Sequence, residues 1–178
     1  MGLELEIDGV QATTVADDGA TFTLFAGTDV MLMMNGDGFR EHHIYLRVPE
    51  QDASWNFQVA NNNTLTTIGS GFGSAPDDTK AIITVAVRSL ENTSIPGMTI
   101  TGDLEAEATV VFSGASVAPG NTTLEGSLSS AVMINVDPGD LTATFEHDDD
   151  YTCEGPSPVS LEANTYVITT FICEISGN

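Results

Sequence analysis

The chain has 178 residues, with 26 Asp and Glu against four Lys and Arg, a formal net charge of -22. The cations are Arg40, Arg47, Lys80 and Arg88, so everything after Arg88 is polyanion, and this excludes recognition of nucleic acid phosphates or anionic lipid headgroups, which rests on clustered cations. Only 17% of residues are charged, below the roughly 25% of ordinary domains, so the charge arises from removal of Lys and Arg, a composition that suits an exposed surface, extracellular or on a virion.

An apolar fraction of 41% supports a core, and the length fits one domain over residues 1–178. No apolar run approaches the ~18 residues of a membrane span. Residues 1–6 show neither the basic nor the apolar region of a signal peptide.

Period two dominates from the start. Leu3, Leu5 and Ile7 alternate with Glu4, Glu6 and Asp8, which predicts a half-buried strand. Asp8-Gly9 then suits a tight turn into a strand over 10–15. Further strands are expected over 21–25, 30–34, 43–48, 55–60, 64–68 and 81–87. The last is apolar on both faces and belongs at the centre of a sheet. Asn35-Gly36-Asp37-Gly38 reads as a tight turn. It fails as a calcium loop, because Met33 and Ile44 stand at its first and twelfth ligand positions.

Met98, Ile100, Leu104, Ala106, Ala108, Val110 and Phe112 share one parity, and Thr99, Thr101, Asp103, Glu105 and Glu107 take the other. A hairpin at Gly102-Asp103 would set polar against apolar side chains, so one long strand bent at Gly102 is expected. Asp137-Pro138-Gly139-Asp140 is a turn sequence. A hairpin folded there sets Val136 opposite Leu141, Ile134 opposite Ala143 and Val132 opposite Phe145, all apolar. The last strand, over 166–175, carries apolar residues on both faces and is expected to be central. Helix is confined to single turns near 49–54 and 75–80. The pattern is that of an all-β, antiparallel β-sandwich or jelly-roll-like fold of about ten strands.

Cys153 and Cys173 lie on segments that read as neighbouring strands. A disulfide between them closes a loop of about 20 residues; two buried free thiols are the alternative in a reducing compartment. Glu146, Asp148, Asp149 and Asp150 form the densest acidic cluster, and their oxygens suit Ca²⁺, with a solvated loop as the plainer alternative. His42 and His43 are adjacent on a strand, so they point to opposite faces and do not chelate one ion. The Gly-rich run 69–73 lacks both a following helix and the Lys of a phosphate loop. Asn62, Asn92 and Asn121 each open an N-glycosylation sequon in an expected loop.

No motif of this chain carries a specific chemistry, so the expectation is a non-enzymatic protein. One reading is a structural or assembly protein that self-associates: a virion decoration, capsid or tail component, or an extracellular filament subunit. It rests on the long strand over 98–112 and on two chain ends that read as strands able to pair at exposed edges. The alternative is a secreted adhesion or carbohydrate-binding module, Ca²⁺-dependent through the acidic loop, with Trp55, Phe72, Tyr45 and Tyr151 as candidate glycan platforms.

Overall fold

The computed structural model describes residues 3–7, 10–15, 27–48, 59–113, 116–125 and 130–176, with the backbone alone in the first two segments. β1 (Leu3–Ile7) and β2 (Val10–Val15) form the expected hairpin, with Ile7 opposite Val10. β3 (Asp29–Asn35) pairs with β1 and turns through Gly36, Asp37 and Gly38 into β4 (Glu41–Arg47). The helix α1 (Asn62–Gly71) follows, then β5 (Ala81–Arg88), β6 (Thr99–Gly102), β7 (Ala106–Ser113) and β8 (Ser116–Pro119). The remainder is β9 (Ser130–Val136), β10 (Gly139–Leu141), β11 (Ala143–Glu146), β12 (Tyr151–Glu154), β13 (Val159–Leu161) and β14 (Thr165–Ile175). The strands expected over 21–25 and most of 55–60, and the helical turn near 49–54, lie outside the described residues. No helix turn forms over 75–80.

The fold is an all-β sandwich. Its main layer is a ten-stranded sheet ordered β2-β1-β3-β4-β14-β5-β9-β7-β8, with β12 added beside β14. β14 runs parallel to β4 and β5, and the other pairings are antiparallel. The second layer consists of the two-stranded pairs β6–β11 and β10–β13. Ile83, Val85, Val87, Met133, Val167 and Phe171 of the main sheet meet Met98, Ile100, Leu141, Val159 and Leu161 of the second layer in one core. On the opposite face Ile44, Leu46, Ile82, Val132, Ile134, Tyr166 and Ile168 lie in a second core with Leu65 of α1. Among the described residues no helix is long and apolar enough to cross a membrane.

Three further expectations are corrected. Residues 64–68 are helix, not strand. Leu65, Ile68, Gly69 and Phe72 fall at i, i+3, i+4 and i+7, one apolar face of a helix, and Leu65, Ile68 and Phe72 pack into the second core. The Asn61 side chain caps the start by accepting the Thr64 N–H at 2.9 Å. At the other end a Cβ on Gly69 would stand 2.3 Å from the Ser74 carbonyl, so the loop closes tightly only over glycine. The run of Thr residues suggests strand by propensity, and tertiary burial overrides it.

The long strand over 98–112 is two strands in two layers. β6 pairs with β11, and β7 lies in the main sheet between β9 and β8. The single parity is real but serves two cores: Met98 and Ile100 enter the interlayer core, whereas Ala108, Val110 and Phe112 face the helix side.

The hairpin at 137–140 does not form. Both flanks of β9 are taken, by β5 and β7, so Leu141 pairs with Val159, Ala143 with Gly102 and Phe145 with Ile100. All seven residues of β9 are buried, as a central strand requires. The parity argument also breaks at Asn135, whose φ is 56°. There the register against β5 slips, from Ile82 opposite Ile134 to Ala81 opposite Val136. This bulge sends Val136 into the interlayer core while Val132 and Ile134 face the helix.

Cys153 and Cys173 stand directly opposite each other in the β12–β14 ladder and form the disulfide. The bond ties the four residues of β12 to the central strand. Replacing both cysteines with Ala is expected to lower stability by roughly 3 kcal/mol, the loop-closure value for the 20-residue separation. Urea unfolding of the oxidised protein and the double variant checks this, and superimposable curves would remove the disulfide from the account.

Candidate functional site

All four cations are engaged within the chain. Arg40 is buried; its Nη2 donates to Asp78 Oδ1 at 3.0 Å and its Nη1 to the Lys80 carbonyl at 3.1 Å. Burial lowers its pKa, and Asp78 and Asp77 partly oppose that. Lys80 Nζ donates to the Asp137 carboxylate, the main reason its pKa is raised. Arg47 lies 3.7 Å from Asp29. Arg88 Nη1 donates to the Val87 carbonyl at 2.9 Å and to Ser94 Oγ at 3.3 Å. The anionic exterior is therefore left without a cation cluster that an anionic ligand requires.

Around Lys80 the loop over 74–80 is clamped to the end of the sheet. Asn135 is buried. Its Nδ2 donates to the Ala75 carbonyl and Glu107 Oε2, both at 2.8 Å, and to Ser74 Oγ at 3.0 Å; its Oδ1 accepts the Asp77 N–H at 2.9 Å. Ser74 Oγ donates to the same Glu107 oxygen at 2.9 Å. The bonds from Asn135 and Ser74 hold the Glu107 carboxyl below the ordinary carboxylate range, and the Thr79 N–H and hydroxyl do the same for Asp77. Both contributions are present at neutral pH and fade as pH falls through that range. Ser74 and Glu107, bonded to each other and to Asn135, hold the loop against the sheet.

The acidic residues proposed for Ca²⁺ do not converge. Glu146 ends β11, and Asp148, Asp149 and Asp150 follow in the turn to β12. Among the described residues no three His, Cys, Asp or Glu side chains are grouped to hold a metal ion. The turn is organised instead by His147. Its Nε2–H donates to the Pro96 carbonyl at 3.0 Å, its Nδ1 accepts the Asp149 N–H at 2.9 Å, and its ring meets Tyr151 edge-on.

His42 and His43 point to opposite faces of β4, as the alternation requires. His42 donates from Nδ1 to the Arg40 carbonyl at 2.7 Å and sits edge-on to Tyr166. Burial lowers its pKa, opposed in part by backbone carbonyls of Arg40 and Ala60. His43 Nε2 pairs with Glu41 Oε1 at 2.6 Å. The described aromatic candidates are half-buried. Tyr45 and Tyr151 lie against the interlayer core and Phe72 against the helix-side core. Trp55 lies outside the described residues.

One outward surface is built differently. In the β6–β11 pair, Thr101 stands opposite Thr144 and Thr99 opposite Glu146. Ile100 and Phe145, the alternate pair, turn into the core. The Thr101 and Thr144 hydroxyls meet at 2.6 Å, those of Thr99 and Thr122 at 2.9 Å, and Asp103 Oδ1 accepts the Thr142 N–H at 2.7 Å. The result is a small polar plate of hydroxyls and carboxylates without a cation. The signal for it is the repeated Thr-x-Thr, Thr99-Ile100-Thr101 and Thr142-Ala143-Thr144. What the alternation leaves open is that these two segments pair with each other.

No family model matches the chain, and no curated protein matches it. Among solved structures it is similar to the family CBM26 module CBMbc of Eubacterium rectale Amy13K, crystallised in complex with maltoheptaose, at 13% identity and a TM-score of 0.33 over 99% of this chain and 90% of that one. A superposition of that quality assigns no residue and no ligand to this chain.

Two variants probe these clusters. Asn135→Ala removes the clamp and leaves a non-glycine residue at positive φ; an unfolding free energy lower by about 3 kcal/mol is expected, and a loss under 1 kcal/mol would show that the clamp is idle. Because burial disfavours the charged form of His42, the unfolded chain takes up its proton first. This part of the stability is intact above pH about 6.5 and declines as pH falls below it. His42→Phe is expected to flatten the stability profile between pH 7.5 and 5, measured by denaturant titration; parallel profiles would contradict this origin.

Proposed function

We propose that this chain is a non-catalytic, extracellular β-sandwich module that binds neutral carbohydrate through the outward face of the β6–β11 pair. The observation that carries the reading is the exposed plate of Thr99, Thr101, Thr122 and Thr144 hydroxyls flanked by Asp103 and Glu146. Hydroxyls both donate and accept, and carboxylates accept from sugar hydroxyls. The surrounding charge repels phosphate, sulfate and uronate groups, which leaves uncharged glycans as the compatible class. The disulfide suits an oxidising, extracellular setting.

The assembly reading loses two of its supports. β1 lies between β2 and β3, and β14 between β4 and β5, so neither terminal strand offers a free edge of the main sheet. The long strand expected over 98–112 is divided between two layers. A net charge of -22 opposes contact between copies as well. Calcium at Glu146, Asp148, Asp149 and Asp150 is not part of the proposal, since these side chains do not gather.

A panel of soluble neutral and anionic polysaccharides, assayed by affinity electrophoresis and calorimetry, tests the reading. Retardation by at least one neutral glycan is expected, with none by anionic ones and no change in chelator. The Thr101→Val, Thr144→Val double variant is expected to weaken binding at least tenfold with little change in stability. Absence of binding to every neutral glycan would sink the proposal.

A further inference from the structure

Two buried polar atoms lie on one face of the central strands without a hydrogen-bonding partner in the protein: His43 Nδ1 and Thr169 Oγ1. His43 is 3% exposed and Thr169 0%. In the parallel β4–β14 ladder His43 pairs with Val167 and Tyr45 with Thr169. Residues two apart on a strand share a face, so His43 and Thr169 are diagonal neighbours facing the interlayer core, where Val167 and Tyr45 also pack.

The chemistry of the two atoms is complementary. The 2.6 Å bond from His43 to the Glu41 carboxylate engages Nε2 as the donor; in an uncharged ring Nδ1 is then an acceptor. The Thr169 hydroxyl can donate or accept. The two atoms are not bonded to each other, and a diagonal pair on one face lies close enough for a single small molecule to bridge. On the other face His42 Nε2 is likewise without a partner, whereas Thr84 of β5 and Tyr166 are paired hydroxyl to hydroxyl at 2.6 Å. Leaving Nδ1 and Oγ1 both unpaired in a core is unfavourable, and buried polar groups in this position recruit internal water.

We propose that the interlayer core holds an ordered water that donates to His43 Nδ1 and bonds to Thr169 Oγ1. It completes a chain from Glu41 through His43 to the central strand, and it fixes the His43 tautomer with the proton on Nε2.

The test combines water-to-protein cross-relaxation NMR with the near-isosteric Thr169→Val variant. A long-lived water contacting the Thr169 methyl is expected, together with ring ¹⁵N shifts of His43 that report a protonated Nε2 and a hydrogen-bonded Nδ1. In Thr169→Val that contact is lost and the melting temperature falls by several degrees. A dry site would give no water contact and a melting temperature that rises in Thr169→Val, because an unsatisfied hydroxyl has been removed. That result overturns the proposal, as would a direct Thr169-to-His43 hydrogen bond in a crystal structure at atomic resolution.

Discussion

The fold depends on where β14 lies. From Thr165 to Phe171 every residue of this strand is buried, and it is inserted in parallel between β4 and β5. A strand that is apolar on both faces needs cover on both. One cover is α1, which turns Leu65, Ile68 and Phe72 onto the sheet. The other is the pair of short two-stranded ribbons, whose inward side chains close the interlayer core. The disulfide then pins β12 along the part of β14 that β4 no longer reaches. Each layer exists because the central strand cannot face water.

The second constraint is electrostatic. A chain with four cations and 26 carboxylates must place its cations where they remove the greatest penalty. Arg40 is buried beside Asp78, and Lys80 sits among Asp77, Glu107 and Asp137 at the end of the sheet. There they and Asn135 secure the loop that leads into β5, next to the bulge that reorients Val136. Arg40 is taken into the fold, the exposed Arg47 lies beside Asp29, and the described surface is otherwise rich in hydroxyls, amides and carboxylates. The hydroxyl plate of β6 and β11 is one surface whose chemistry suits the uncharged partner proposed above.

Several elements were legible because they follow from local rules. The alternation in Leu3, Leu5 and Ile7 and the two-faced apolar character of β5 and β14 each predict the strands that form. The cysteine pairing was legible too, because β12 and β14 read as neighbours. Residues 64–68 carried a helical apolar spacing that their Thr content obscured. The hairpin at 137–140 failed for a different reason. Its apolar pairs were counted on one parity only, although Ala131 and Met133 make the other face of β9 equally apolar, the mark of a strand flanked on both sides. A bulge at a single asparagine lies beyond any parity count.

The sequence by itself determined an all-β chain with a central C-terminal strand, a cysteine pair on neighbouring strands near that end, and a surface hostile to anions. These are matters of side-chain periodicity and charge count, which do not depend on who pairs with whom. Only the tertiary structure decided that one alternating run would serve two cores, that the acidic turn would be organised by His147 rather than by gathered carboxylates, and that two Thr-x-Thr segments some forty residues apart would form one plate. Those outcomes depend on non-local strand pairing, and pairing is chosen by the burial of the whole sheet, which no single segment encodes.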